Sequence, residues 1–254
     1  MTRFDNAFLF MDFFEFKNVI FKEFKEVIGI DLTDSQCQSF FDFMNLLIEK
    51  NKVMNLTAID DPKEIILRHF LDSSILIKIF GADVFDGKKV IDIGTGAGFP
   101  GLPLAILCPK GDFVLSDTLG KRINFLDEVL STIGLKNVKL IKARAEDLGQ
   151  DFNHREKYDF AISRAVANIS VLLEYSLPLL KLNGKSLLFK MDDCDKEIKS
   201  ADRSFKELGG VFHVKHSYDL IKDEPMRCIL EIEKVLSTPK KYPRKAGTPS
   251  KSPL

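Results

Sequence analysis

The chain has no tryptophan, only four cysteines, no excess of either charge and no long apolar run. Each of these absences narrows what it can be. Its 37 basic and 37 acidic side chains cancel, so any nucleic-acid contact must come from local patches and not from a global basic field. Cys37, Cys108, Cys194 and Cys228 are scattered in apolar contexts, without a CxxC pair or metal-finger spacing. They read as packed, reduced thiols of a cytoplasmic protein. No window reaches the ~18 uninterrupted apolar residues of a membrane span. The phenylalanines at Phe4, Phe8, Phe10, Phe13, Phe14 and Phe16 are interrupted by Asp5, Asp12 and Glu15, and no small-residue cleavage site follows, so no signal peptide is expected. A Ser-His-Asp signature and a His/Cys cluster are missing too, and no metal is expected. His213 and His216 lie three apart on a predicted strand, which aims them at opposite faces.

What is present is ample material for a core, with 45% hydrophobic and 29% charged residues over 254 positions. From Phe10 to Gly29 apolar residues recur at helical spacing. Thr33-Asp34-Ser35-Gln36 forms a capping box for a second helix, and Asp61-Pro62-Lys63-Glu64 opens a third that runs to Gly81. Residues 1–84 therefore read as a helical cap. From Lys88 strands alternate with helices, which argues for a mainly parallel sheet. Strands are expected near 89–93, 112–116, 137–142, 158–163, 184–190, 211–217 and 226–235, and helices near 100–108, 120–133, 168–181 and 194–208. Only a short polar turn, Lys222-Asp223-Glu224-Pro225, separates the last two strands, so they must pair antiparallel. Residues 85–236 thus form an α/β domain, and five parallel strands closed by a hairpin suit a class I methyltransferase better than a dehydrogenase. Residues 237–254 carry four prolines, five basic residues and no acid, and read as an extended tail suited to a phosphate backbone.

The chemistry concentrates where Val90-Ile91-Asp92-Ile93 runs into Gly94-Thr95-Gly96-Ala97-Gly98-Phe99-Pro100-Gly101. A strand, a glycine turn and a helix let backbone approach a ribose-bearing ligand closely. Gly96 to Gly101 matches GxGxxG, a weak signal by itself. Asp92 inside the strand suits the amino-acid end of S-adenosylmethionine (SAM), held through water or backbone. Pro100 and Pro103 remove amides that a pyrophosphate would use. Asp117, 19 residues past Gly98, ends the second strand and can accept from both ribose hydroxyls. An amide beside Ala145 and the carboxylate of Glu146 suit an adenine edge. Arg164 ends the fourth strand, where amine-methylating enzymes often carry an Asp/Asn-Pro-Pro-Tyr/Phe motif, and is placed to orient a carboxylate or phosphate. A structural His-Asp contact is the plain reading of His69, and Arg68 and Asp72, one helical turn apart, can pair. Two other readings stay open on these residues alone: a nicotinamide-dependent oxidoreductase and a non-enzymatic nucleotide-sensing RNA-binding protein.

Together these segments resemble the RsmG/GidB methyltransferases of bacterial small-subunit ribosomal RNA. Asn51–Thr57 is similar to that family's NKxxNLT element, Arg68–Ser73 to RHxLDS, Asp92–Pro103 to DxGTGxGxPGxP, Asp117–Arg122 to D[ST]xxKR, and Ile162–Ala165 to ISRA. Tyr242–Pro249 resembles a YPRKxGTP ending of one branch, whereas the family's Lys-Gly after strand five is Lys190-Met191 here. The resemblance implies methyl transfer from SAM to N7 of a guanine in 16S ribosomal RNA, naked or in the small subunit. It implies that Gly94, Phe99, Ala145, Glu146 and Arg164 contact SAM, beside the loop residues Asp92, Thr95, Gly96 and Gly98 and the ribose candidate Asp117. It further implies that Arg68, His69, Lys121, Arg122, Lys190, Arg244 and Lys245 hold RNA, with Arg164, Lys190 and His69 as positioning residues.

Overall fold

The computed structural model describes residues 11–254. Seven strands lie in the order β3-β2-β1-β4-β5-β7-β6: β1 Lys89–Ile93, β2 Asp112–Asp117, β3 Val138–Lys142, β4 Tyr158–Arg164, β5 Leu180–Met191, β6 Gly210–Tyr218 and β7 Arg227–Lys234. The first five are parallel, and β7 runs antiparallel to both β5 and β6, as the short polar turn requires. Strand order reverses between β1 and β4, and an open α/β sheet presents its ligand crevice at the carboxyl ends of the strands around such a switch.

One face of the sheet is covered by α1 (Phe13–Glu23), α2 (Asp34–Met54), α3 (Pro62–Ile65), α4 (Asp72–Phe80), α5 (Gly101–Leu107) and α6 (Gly120–Ile133). Both capping expectations hold: Thr33 and Gln36 exchange the two capping-box hydrogen bonds, and the Asp61 side chain accepts from Glu64 N with Pro62 at the first helical position. Two stretches, Phe24–Ile28 after α1 and Ile66–Leu71 between α3 and α4, wind as wider π-helical turns. The second carries Arg68 and His69, and such widened turns often re-aim side chains at functional sites. Phe10, expected to open the first helix, lies outside the described residues. Phenylalanines weld this layer together: Phe40 and Phe43 each pack on Phe70, at 4.8 and 5.5 Å between centroids, and Phe43 stacks on Phe99 of the glycine loop at 5.2 Å. Each such pair adds about 0.5–1.5 kcal/mol beyond its buried area.

The opposite face packs α7 (Ala145–Gln150), α8 (Ile169–Ser176), α9 (Asp195–Ser200) and α10 (Asp202–Leu208). Helix α7 was not foreseen, because six residues are too short to display a helical period. The expected 194–208 helix is broken between α9 and α10 at Ala201. The tail is not extended. Tyr242 is buried at 3% exposure, Pro243 lies against Gly149, and Thr248–Lys251 forms a short helix, α11. Its Arg244 forks onto the fully buried Glu174 at 2.7–3.1 Å, so that cation is committed inside the fold. The two strand histidines also depart from simple alternation. His213 bonds Glu233 and His216 bonds Glu231, each at 2.8 Å, and these partners are two apart on β7. A bulge between Phe212 and Val214 shifts the register and brings both rings to one face. No cluster that could hold a metal ion, and no helix long and apolar enough to cross a membrane, occurs among the described residues.

Candidate active site

Two cavities meet at the carboxyl ends of β1, β2 and β4. The smaller, about 310 Å³, is lined by Gly94, Asp117, Arg122, Ala143, Arg144, Ala145, Glu146 and Tyr175 among others. The larger, about 740 Å³, is lined by Arg68, His69, Asp72, Arg164, Lys190, Met191, Tyr218 and Arg227 among others. Ala165 belongs to both and takes a left-handed backbone (φ 58°) just past β4, a conformation a non-glycine residue keeps only where the surrounding structure holds it. Gly94 faces it at φ 70°, and a Cβ there would lie 2.8 Å from Val166. That close approach of the Val166 side chain requires glycine at position 94.

The glycine loop is fastened from beneath. Alternation along β1 sends Val90 to the helical layer containing α5, and Ile91 and Ile93 to the other, so Asp92 points toward α5. At 1% exposure its Oδ2 accepts from Thr95 Oγ1 at 2.7 Å and Gly101 N at 2.9 Å, while Oδ1 has no partner among the described residues. Burial pushes its pKa up to about 6 against the pull of those two bonds. The Asp92 carboxylate shapes the loop and lines neither cavity. Thr95 is turned to the same task, and Gly98 faces Leu102 and Leu126 in the interior. Gly96 donates its amide to Asp117 Oδ2 at 3.0 Å.

Asp117, 3% exposed, also accepts from Leu119 N at 2.9 Å and Arg122 Nη1 at 3.1 Å. Arg122, expected on RNA, is therefore found against the candidate ribose carboxylate. Glu146 accepts at Oε1 from Gly247 N at 2.8 Å and from the Tyr175 hydroxyl at 3.4 Å. Phe99 lines neither cavity; it lies beneath His69, stacked at 4.5 Å between centroids, with the Arg164 guanidinium 5.2 Å from its own centroid. Burial and the neighbouring Arg164 cation depress His69 to about 4, and its Nε2 meets Thr57 Oγ1 at 2.8 Å. His69 is a neutral ring.

The sequence was wrong about Arg68 and Asp72. Arg68 pairs with Glu64 and Glu224, whereas Asp72 accepts from Arg164 Nη1 at 2.8 Å, Arg227 Nη1 at 3.0 Å and the Tyr218 hydroxyl at 2.9 Å. Tyr218 and Arg227 were missed altogether. They are register partners at the mouth of the hairpin, and only the fold carries them to the site.

The sequence profile of the family described as rRNA small subunit methyltransferase G matches residues 36–221. "Ribosomal RNA small subunit methyltransferase G" of Desulforamulus reducens is 46% identical over 236 residues, covering 93% of this chain and 98% of that one. Its counterpart in Alkaliphilus oremlandii is 43% identical over 240 residues, covering 94% and 99%. The chain belongs to the rRNA small subunit methyltransferase G family. The fold is that of class I SAM-dependent methyltransferases, and the crystal structure of TrmN from Thermus thermophilus shares it at a TM-score of 0.51 and 19% identity over 67% of this chain and 53% of that one.

In this methyltransferase G chain the expected cofactor residues divide in two. Gly94, Asp117, Ala145 and Glu146 line the small cavity, Arg164 the large one, and Asp92, Thr95, Gly96, Gly98 and Phe99 form the frame that holds them. Of the residues expected on RNA, Arg68, His69 and Lys190 line the large cavity; Lys190 is held by Glu197 at 2.8 Å. Lys121 lies outside both cavities, bonded to Met54 O at 2.9 Å, and Lys245 is exposed on the tail.

Proposed function

We propose that the protein transfers a methyl group from SAM to N7 of a guanine in 16S ribosomal RNA, with SAM in the small cavity and the target base in the large one. The juxtaposition of the two cavities at Ala165, which lines both, carries this reading, since it supports donor and acceptor meeting at one point. The residues fit the cofactor. A buried carboxylate at the end of β2 suits a ribose diol, Glu146 and the backbone at Ala145 suit an adenine edge, and a volume of about 310 Å³ is in the range of ligand pockets. Bound there, SAM supplies an electrophilic methyl group on a sulfonium.

The protein's part is alignment. Guanine N7 carries a free lone pair, so no side chain has to remove a proton before attack. A cation hydrogen-bonded to N7 would block that lone pair; Arg227 and Lys190 instead serve O6 and the flanking phosphates, leaving N7 open. Arg164, fixed by Asp72 and Phe99, takes the carboxylate of the cofactor at the junction. His69 stays uncharged, which matters because methylation makes the guanine ring cationic and an imidazolium beside it would oppose that charge. Positioning reactants about 3–3.5 Å apart and in line supplies most of such an acceleration.

The test is to incubate the protein with labelled SAM and small ribosomal subunits, or their RNA, from cells lacking it, and then to identify the modified nucleoside. The expected product is 7-methylguanosine at a single site. Label on an exocyclic amine, a ribose or a pyrimidine would overturn the reading.

A further inference from the structure

The carboxy-terminal segment reaches the small cavity from behind. Arg155 ties it down through the carbonyls of Gly149 at 2.8 Å, Tyr242 at 2.7 Å and Thr238 at 2.6 Å. Gln150 donates to Pro243 O at 2.8 Å, and Arg244 clamps Glu174. These anchors deliver residues 247–250 against the cavity wall. Gly247, in a left-handed conformation (φ 81°), turns its amide onto Glu146 Oε1, and Ser250 Oγ meets the Tyr175 hydroxyl at 2.9 Å. Glu146 and Tyr175 both line the small cavity, and Tyr175 also reaches Glu146 Oε1. The tail thus fixes one carboxylate oxygen from two directions, while Oε2 takes no hydrogen bond from any described residue.

We infer that the tail is part of the cofactor pocket: Gly247 and Ser250 are positioning residues that lock Glu146 so that Oε2 accepts from the exocyclic amine of adenine, and they thereby set the base selectivity for the cofactor. The inference rests on the assignment of the small cavity to SAM. A carboxylate free to rotate could turn either face to its ligand or to water. Clamped by a backbone amide and a phenol, it presents a lone pair in one direction, favourable to an N–H donor and repulsive toward the carbonyl oxygen that hypoxanthine carries in the same place. The same arrangement gives Arg244 a role other than RNA binding, turned inward as an anchor.

Two ligands probe the selectivity without turnover: 5′-methylthioadenosine and 5′-methylthioinosine, titrated calorimetrically. The full chain should prefer the adenine compound by about tenfold or more, the worth of one good hydrogen bond to a charged group. Ending the chain after Ala246 keeps the anchors at Tyr242, Pro243 and Arg244 and removes the clamp; most of the preference should vanish while the melting temperature stays close to that of the full chain. Ser250→Ala, the milder change, should lower the preference in the same direction, and Ser250→Thr should restore it. Glu146→Ala serves as the reference. If Glu146→Ala abolishes the preference while the shortened chain and Ser250→Ala keep it, or if the shortened chain loses affinity equally for both compounds, the tail's role is refuted and the cofactor assignment stands. If Glu146→Ala retains the full preference, the adenine-side assignment falls as well.

Discussion

Asp72→Ala removes the one group that ties four elements of the large cavity together. The carboxylate is 2% exposed and accepts from guanidinium groups on β4 and β7 and from a hydroxyl on β6. Deleting one partner of a buried ion pair costs about 3–5 kcal/mol, because the other charge stays behind unpaired. Here Arg164 and Arg227 keep 15% and 23% of their side-chain surface in water, which discounts the cost to about 2–4 kcal/mol. For a chain of this size each kcal/mol moves the melting temperature by about 2–4 °C, so the melt should fall by about 5–15 °C. Loosening Arg164 should also misplace the cofactor carboxylate and lower kcat/KM on the order of 100-fold. Asp72→Asn keeps the shape and one acceptor oxygen and should lie between the two. The thermal melt is followed by circular dichroism and the rate by methyl incorporation. If Asp72→Ala melts within about 2 °C of the parent, the carboxylate does not hold the two arginines and the reasoning is wrong.

Two titrating groups at the site oppose each other with pH. His69 is held near 4 against an ordinary value of 6.5, so the stability its neutral form contributes is present above 6.5 and is lost as pH falls toward 4; Asp92, raised from 3.8 to about 6, contributes stability that is lost as pH rises through that window. Each amounts to at most about 3 kcal/mol, and urea melts of His69→Gln from pH 4 to 7 should differ in slope from the parent by His69's share; identical slopes would show that its ring is not shielded. Glu224→Gln should leave Arg68 with Glu64 as its remaining carboxylate, strengthen non-specific RNA binding at low salt and steepen the salt dependence of log K by up to about 1; unchanged binding would mean that Arg68 does not face the RNA.

The fold was legible because its signals are local. The first two strands are short apolar runs ending at a turn, and the polar Lys222–Pro225 turn is too short for a helical crossover, which settles the hairpin. The caps at Thr33 and Asp61 are chemistry between residues three apart, and they are where the sequence placed them. What stayed hidden depends on distance along the chain. Asp72 finds Arg164, Tyr218 and Arg227, 92 to 155 positions away, and no spacing rule favours them over Arg68 one turn off. The tail was misread for a similar reason. Proline, lysine and the lack of acids describe a segment with no core of its own, but composition does not reveal that Glu174, Gly149 and Arg155 form a seat for it. Asp92 was placed within the first strand, where it lies, yet only the side of β1 on which it falls shows that its carboxylate faces inward.

The neutral overall charge acquires a meaning at the large cavity. Four of the cations that line it already have a carboxylate: Arg68 has Glu64 and Glu224, Arg164 and Arg227 share Asp72, and Lys190 has Glu197. A phosphate entering there must compete with a resident anion, so part of the Coulomb gain is spent on breaking that pair. Non-specific affinity is therefore kept low, and binding becomes favourable only where shape and base contacts add to it. The pairing also suits the proposed reaction. Methylation at N7 leaves a cationic guanine, and a pocket of bare lysines and arginines would resist its formation. Cations that hold O6 and phosphate while their own charge is balanced a few ångströms away can position the base without raising that barrier, and the neutral His69 completes a wall that adds none. The same balance favours product release, because Asp72 and Glu197, which line the cavity, are already held by their own cations.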